Sequence, residues 1–168
     1  MRLSESGYKQ TIAKLLPGDR IEVGAPLGHT TLIPEDPRPV VFLIGGIGIT
    51  PARSILFQAN HDRDDREFFL FYSNYDREDA AFWEELEHFP FLRYRFIPTL
   101  TDSKLGMESW GGERGFISRA LLEKYLPDIR TPLYYLVGTL GFTTAMTSIL
   151  MEAGVQKTAI RQDPFIGF

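Results

Sequence analysis

The feature that most constrains the fold of this chain is the segment 40–51, VVFLIGGIGITP. Five apolar residues in succession, most of them branched, predict a strand that is buried on both faces of a parallel sheet. Three glycines within the next four positions predict a tight turn, and Thr50 with Pro51 predicts the start of a helix over 52–60. A strand, a glycine turn and a helix N-terminus together hold phosphate groups on backbone N–H groups in many proteins. A tight turn without a ligand is the alternative explanation of the same residues.

Short apolar runs and amphipathic stretches alternate along the rest of the chain. Strands are predicted at 68–72, 94–100, 133–137 and, shorter, 158–161, and helices at 76–87, 117–125 and 143–153. Strands that alternate with helices in this way form parallel sheets covered by helices. The sequence therefore predicts an α/β domain over residues 37–168, with a five-stranded parallel sheet and helices on both faces.

Residues 1–36 do not follow this alternation and are predicted to be a separate, incomplete unit. A helix is expected over 6–16, and two strands of an antiparallel sheet at 19–23 and 29–32. One helix and two strands cannot bury a core by themselves, and unpaired strand edges favour self-association. We therefore expect a homo-oligomer formed through this unit, or a partner that completes it.

Composition excludes several classes of function. The chain has 168 residues, a net charge of −4 and no cysteine, which argues against nonspecific nucleic-acid binding and excludes disulfides and cysteine-ligated clusters. Its three histidines lack the spacing of metal ligands, so no metal site is predicted. No apolar run is long enough to span a membrane and no signal peptide is evident, so we expect a cytoplasmic protein without a membrane partner.

The glycine spacing at 45–51 differs from the common dinucleotide fingerprint, because the order is G-G-x-G-x-T-P and not G-x-G-x-x-G. It resembles the GG-x-G-(I/L)-T-P motif of the ferredoxin–NADP reductase superfamily. Two later segments resemble further motifs of that family: WGGERGFI at 110–117 and YLVGTLGF at 135–142. The resemblance implies that 37–168 is an NAD(P)-binding domain and that 1–36 is the remnant of an antiparallel, flavin-binding β-barrel.

The resemblance also implies which residues bind cofactors. Ser6 would cap a helix end beside the FAD pyrophosphate, while NAD(P)H would lie against the ends of three strands. Tyr75 stands where NADPH-preferring relatives commonly have arginine, although Arg77 is near, so NADH is favoured. The positions implied for NAD(P)H are Gly45, Gly46, Gly48, Ile49, Thr50, Pro51, Ser73, Asn74, Tyr75, Arg77, Gly138, Thr139, Gly141 and Phe142.

One departure from the family bears on the flavin. The family's Arg-x-Tyr-Ser/Thr segment, which binds the flavin, has no counterpart in this sequence. FAD therefore remains a candidate cofactor, but the missing segment argues against its binding by this chain alone. The leading hypothesis is the NAD(P)H-binding portion of an oxidoreductase that passes hydride to a flavin and electrons to an unidentified acceptor, with a flavin domain or an electron-acceptor protein as partner. The alternative is a noncatalytic nucleotide-binding, regulatory or interaction subunit that has lost the barrel.

Overall fold

The computed structural model describes residues 7–25, 28, 30–33, 35–102 and 110–165. Its centre is a parallel sheet with the strand order β4-β3-β2-β1-β5-β6. The strands are β1 Val40–Gly45, β2 Phe68–Asn74, β3 Tyr94–Leu100, β4 Glu113–Arg114, β5 Leu133–Thr139 and β6 Ile160–Phe165. The predicted α/β fold with a parallel sheet is confirmed. The sheet has six strands and not five, because the two-residue strand β4 pairs with the end of β3.

Five α-helices in the described part of the chain accompany the sheet, and the longer ones cover it. They are α1 Gly7–Ala13, α2 Ile49–His61, α3 Trp83–Glu87, α4 Arg119–Tyr125 and α5 Leu140–Glu152. The crossovers through α2 and α5 run in opposite directions from the centre of the sheet, so right-handed connections place these helices on opposite faces. β1, which lies at the centre of the sheet, is fully covered, since every residue from Val40 to Ile44 is 0% exposed. No helix in the described part of the chain is long and apolar enough to cross a membrane.

The helix predicted at 76–87 is much shorter in the structure. An Asx-type turn comes first, in which the Asp76 carboxylate accepts the Asp79 N–H at 2.7 Å. Phe82 then has a left-handed backbone with φ +61, so the helix begins only at Trp83. The helix predicted at 117–125 begins at Arg119, after Ser118. The last strand covers 160–165, later than the predicted 158–161.

The two strands predicted within 1–36 are not formed by the described residues there. Residues 19–25 and 30–33 have no strand conformation, and residue 29 lies outside the described residues. Alternating polarity does not make a strand without a neighbour to pair with. Residues 30–33 instead cross the sheet face, where the Tyr135 hydroxyl donates to the Thr31 carbonyl at 3.0 Å. The predicted boundary between 36 and 37 stays a prediction.

Three strands begin after the same kind of turn, with the pattern Asp-x-Arg, at 36–38, 64–66 and 128–130. In each turn the aspartate Oδ1 accepts the arginine backbone N–H, at 3.1, 3.0 and 2.9 Å respectively. Each guanidinium also donates to the same carboxylate. Arg66 additionally donates to two carbonyl oxygens within 33–36, at 2.9 and 3.0 Å. These turns fix the amino-terminal edge of the sheet and attach the preceding segment to it.

Candidate functional site

The strand order reverses between β1 and β5, and their carboxyl ends lie side by side. β1 leads through α2 to strands on one side of the sheet, whereas β5 leads through α5 to the other side. The register pairs Ile44 with Val137, so that Gly45 and Gly138 follow as neighbours. In open α/β sheets, ligands bind in the crevice outside the strand ends at such a reversal. The N-termini of α2 and α5 both open at this crevice.

The start of α2 leaves backbone N–H groups uncapped by side chains. Residues Gly46–Gly48 form one turn of 3₁₀-helix that continues into α2, and both cap positions are glycines. The Thr50 hydroxyl donates to the Ile47 carbonyl at 3.1 Å, so Thr50 lies inside the first turn and is not the predicted N-cap. The helix therefore begins at Ile49, three residues before the predicted start. Uncapped N–H groups and the positive end of the helix dipole favour an anion here.

The glycines at the crevice serve different purposes. A Cβ on Gly48 would lie 2.4 Å from the Val137 carbonyl oxygen, so this glycine permits close packing of the turn on β5. Cβ atoms on Gly45 and Gly138 would instead meet the ring of Phe142. Cβ atoms on the remaining two, Gly46 and Gly141, would meet nothing within 4 Å. Only these last two offer open backbone that a ligand can approach.

The β5 side of the crevice is formed by Thr139 and the first turn of α5. The Thr139 hydroxyl oxygen accepts the Phe142 N–H at 3.3 Å and thereby caps α5, which begins at Leu140 and not at the predicted residue 143. Thr139 and Gly141 are exposed, whereas Phe142 is half-buried. The predicted residues of this motif thus lie together with those that follow β1.

The residues at the end of β2 form a third group beside the crevice. The Tyr75 hydroxyl donates to the Asp102 carboxylate at 3.2 Å. Asn74 is only 6% exposed, its carbonyl accepts the Thr101 N–H at 2.9 Å, and its side-chain nitrogen meets no hydrogen-bond partner among the described residues. Ser73 is half-buried beside them. Asp102 was not predicted from the sequence, and its position two residues after β3 is the signal that would have identified it.

Arg77 is directed away from this group. Its guanidinium pairs with Glu84 and Glu87 and lies 5.2 Å from the centre of the Trp83 ring. The predicted reach of Arg77 toward a ribose phosphate would require both ion pairs to break. Ser6, the position predicted for the flavin pyrophosphate, lies outside the described residues.

The tyrosine in β2 next to this group is a neutral hydrogen-bond donor. Burial raises the pKa of Tyr72 to about 12, and its hydroxyl donates to the Ala81 carbonyl at 3.2 Å. It therefore stays protonated at physiological pH and anchors the turn before α3. The segment 110–117 is likewise structural, since Trp110 packs edge-on against Trp83 with ring centres 5.4 Å apart.

Comparisons with known proteins agree with this geometry. Residues 42–148, more than half of the chain, match the family of oxidoreductase NAD-binding domains. One component of the Na(+)-translocating NADH-quinone reductase of Psychrobacter cryohalolentis is 30% identical over 160 residues, covering 91% of this chain and 38% of the relative. Its counterpart in Chlamydia muridarum is 32% identical over 167 residues, covering 92% and 38%. The chain thus spans less than half of the length of these relatives.

Solved structures show the same fold. A flavohemoglobin from Malassezia yamatoensis with bound FAD and heme is 27% identical, with a TM-score of 0.75, and the match covers 98% of this chain and 42% of that one. The CS-b5R domains of human Ncb5or in the NAD+ form superpose with a TM-score of 0.80 at 24% identity, covering 96% and 47%. The resemblance to the ferredoxin–NADP reductase superfamily is confirmed, and the chain belongs to the family of oxidoreductase NAD-binding domains.

Proposed function

We propose that this chain binds NAD(P)H in the crevice between β1 and β5 and presents it to a flavin, from which electrons pass to an acceptor. The observation that supports this most directly is the meeting of two helix N-termini at adjacent strand ends, with open backbone at Gly46 and Gly141. Such an arrangement suits a pyrophosphate. The names of the relatives and solved neighbours, which include NADH-quinone reductase components and FAD-containing proteins, support the same class of reaction.

The nucleotide and the residues of the chain have separate roles in this proposal. NAD(P)H supplies the hydride when it is bound, and the residues of the chain bind and orient it. The N–H groups at 46–48 would hold the pyrophosphate, with Thr50 and Pro51 forming the first turn behind them. Thr139 and Gly141 would border the nicotinamide half, and 73–75 the adenosine half.

We further propose that NADH is preferred over NADPH. Asp102 lies next to Tyr75 at the end of β2, and Asp76 and Asp79 follow in the same loop. A 2′-phosphate at this edge would meet like charges, while Arg77 is engaged by two glutamates. Titration of the same sample with NADH and NADPH tests this. Tighter binding of NADPH would contradict it, whereas Asp102→Asn should narrow the difference between the two nucleotides.

A flavin-carrying domain is the partner that we propose. Exposed apolar residues border the crevice along four neighbouring strands, namely Ile47, Tyr75, Leu140 and Phe165. The relatives are more than twice as long as the region they share with this chain, which leaves room in them for such a domain. FAD would then be held between the two domains and not by this chain alone. Ile21 and Val23, 63% and 82% exposed, offer a further apolar surface for the partner or for a second copy of the chain, and gel filtration distinguishes a monomer from an oligomer.

The decisive experiment is isothermal titration with NADH and NADPH. Binding of at least one of them is expected, and absence of binding of both would refute the proposed function. Gly141→Asp places a negative charge in open space at the start of α5, where it favours the helix but repels the phosphate on the nicotinamide side of the dinucleotide. It should therefore weaken nucleotide binding without lowering the melting temperature. Gly111→Asp is the matched control, because Gly111 is exposed and a Cβ there would also meet nothing within 4 Å. This variant should bind the nucleotide as the wild type does.

A noncatalytic nucleotide-binding or regulatory subunit is the second candidate. It is favoured by the region before β1, where the described residues form no barrel strand. This candidate predicts nucleotide binding without turnover. An assay of NADH oxidation with added FAD and an artificial electron acceptor separates the two candidates, because only the first predicts oxidation of NADH.

A further inference from the structure

The amino-terminal edge of the sheet, opposite the crevice, exposes apolar side chains close to the start of β3. Leu92, two residues before that strand, is 102% exposed. The rings of Phe57, Phe89 and Phe91 form a row that leads to it, with successive centres 4.6 and 6.3 Å apart, and all three rings are partly exposed. The Phe91 ring lies 5.2 Å from that of Phe68, the first residue of β2. Apolar side chains grouped on a surface in this way mark sites of protein contact.

Beside this apolar row the edge is basic. A shallow hollow of about 330 Å³ is lined by Glu67, Phe69, Leu92, Arg93, Tyr94 and Arg95. The two arginines, which we call the basic end, are exposed and stand two positions apart, so their side chains lie on the same face of the sheet. The Arg95 guanidinium lies 5.7 Å from the centre of the Phe69 ring. Neither arginine has a carboxylate partner among the described residues, so their charge is available to another molecule.

The next part of the same edge is acidic. A second hollow, of about 300 Å³, is lined by Glu35, Asp36, Pro37, Asp64, Asp65 and Arg66. Two of its four carboxylates belong to Asp-x-Arg turns and are paired there. The other two, on Glu35 and Asp65, are exposed and have no cationic partner in the part of the chain that the structure describes. We call these two residues the acidic end, and it adjoins the basic end at the start of β2, where residues 66 and 67 line one hollow each.

Adjacent ends of opposite charge suit a contact between two copies of one chain. In a twofold contact the same surface is used by both copies, so each part of it must complement the part across the axis. A twofold axis near the start of β2 places the basic end of each copy against the acidic end of the other. The apolar row, which reaches the start of β2, then lies near the axis, where water is excluded most easily.

We propose that this edge docks a second copy of the same chain in a twofold contact. Arg93 and Arg95 of one copy lie against Glu35 and Asp65 of the other, and Leu92 is covered between them. The surface differs from that of residues 19–25, and it leaves both nucleotide crevices open at the far edge. The inference goes beyond the proposed function, and its test needs no nucleotide. Because its ion pairs are near solvent, the dimer is weak and its stability falls as salt rises.

The test uses sedimentation velocity on the whole chain, at low and high salt and at concentrations up to about 1 mM. The basic reversal carries Arg93→Glu and Arg95→Glu, and the acidic reversal carries Glu35→Arg and Asp65→Arg. The matched control carries Lys14→Glu and Arg20→Glu, which change the net charge as the basic reversal does, at exposed positions that the contact does not use. Thermal melting of each variant, compared with the wild type, establishes that it is folded.

The wild type should dimerise, and high salt should weaken the dimer. Each reversal should weaken self-association by at least about tenfold, because like charges replace opposite ones at both ends of the contact. The control should associate as the wild type does. An equimolar mixture of the two reversals should dimerise again, because both ends of such a mixed pair bring opposite charges together.

Four results would overturn the inference. They are a wild type that stays monomeric at the highest concentration, a dimer that is insensitive to salt, a reversal that associates as the wild type does, and a mixture that stays monomeric. Equal weakening in the control would assign the effect to net charge alone and would overturn it as well. None of these results bears on nucleotide binding, so the proposed function is tested separately by its own titration.

Discussion

Substitution of Gly48 by alanine tests how tightly the glycine turn is packed against β5. Gly48 has φ −58 and ψ −8, an ordinary right-handed conformation, so alanine brings no backbone strain. Its Cβ would, however, lie 2.4 Å from the carbonyl oxygen and 2.8 Å from the carbonyl carbon of Val137, both of them backbone atoms. The turn or the end of β5 must then move by about 1 Å to restore an ordinary contact.

The expected magnitude follows from two opposing effects. Overpacking of a close-packed site costs about 1–3 kcal/mol, and the rigid backbone on the far side favours the upper part of that range. Replacement of glycine by alanine recovers about 0.4–1 kcal/mol through the unfolded state. We therefore expect a net loss of about 2 kcal/mol in the free energy of unfolding, or a fall of about 4–8 °C in melting temperature.

Thermal and urea denaturation followed by circular dichroism measure this change. Gly141→Ala is the matched control, since it lies in the first turn of α5 and its Cβ would meet nothing within 4 Å. That variant should be more stable than the wild type by about 0.4–1 kcal/mol. If Gly48→Ala melts at the wild-type temperature, the close contact with β5 is not a constraint on this turn, and the reasoning fails.

Three further predictions concern the rest of the fold. Arg66→Met removes donors from Asp64 and from the two carbonyl oxygens within 33–36, and it should lower the free energy of unfolding by about 3 kcal/mol. Arg130→Met, in the same kind of turn but 66% exposed, should melt close to the wild type. Tyr134→Phe leaves the buried Ile129 carbonyl without the donor that lies at 2.6 Å, and urea denaturation should show a loss of about 1–2 kcal/mol. The hydrogen-bonded Arg38 guanidinium lowers the pKa of the Asp36 carboxyl from 3.8 to about 2. The stabilisation from that carboxylate is complete above about pH 4 and is lost as the pH falls toward 2. In an acid titration followed by circular dichroism, Arg38→Met should therefore unfold at a higher pH than the wild type, and coincident curves would contradict this.

The central strands could be predicted well because a strand buried on both faces appears in the sequence as an uninterrupted apolar run. The five residues 40–44 are apolar without interruption, and β3 was predicted with both of its ends, Tyr94 and Leu100, as observed. β4 was missed because a strand of two residues has no periodicity. The strand predicted at 19–23 shows the converse error, since alternating polarity describes a chain that can pair but does not supply the neighbouring strand.

The candidate site could be predicted by position but not by role. The glycine motifs and the rule on strand ends place 45–51 and 138–142 at one crevice, and the structure brings these segments together. Which atoms fill the space above each glycine depends on side-chain packing across two strands and a helix. The sequence gives no measure of that packing, so the seating of Phe142 on Gly45 and Gly138 appeared only in the structure.

The Asp-x-Arg turns lie at the opposite edge of the sheet from the crevice between β1 and β5, and this separation bears on how the domain can diversify. Each turn is held by hydrogen bonds between an aspartate and the arginine two positions later. These bonds involve no residue of the loops at the carboxyl ends of the strands. Changes in those loops can alter cofactor choice or docking partner while the strand origins stay anchored. A new specificity should therefore be designed into this domain by varying only the loops at the carboxyl ends of the strands. Residues 36–38, 64–66 and 128–130 should stay unchanged.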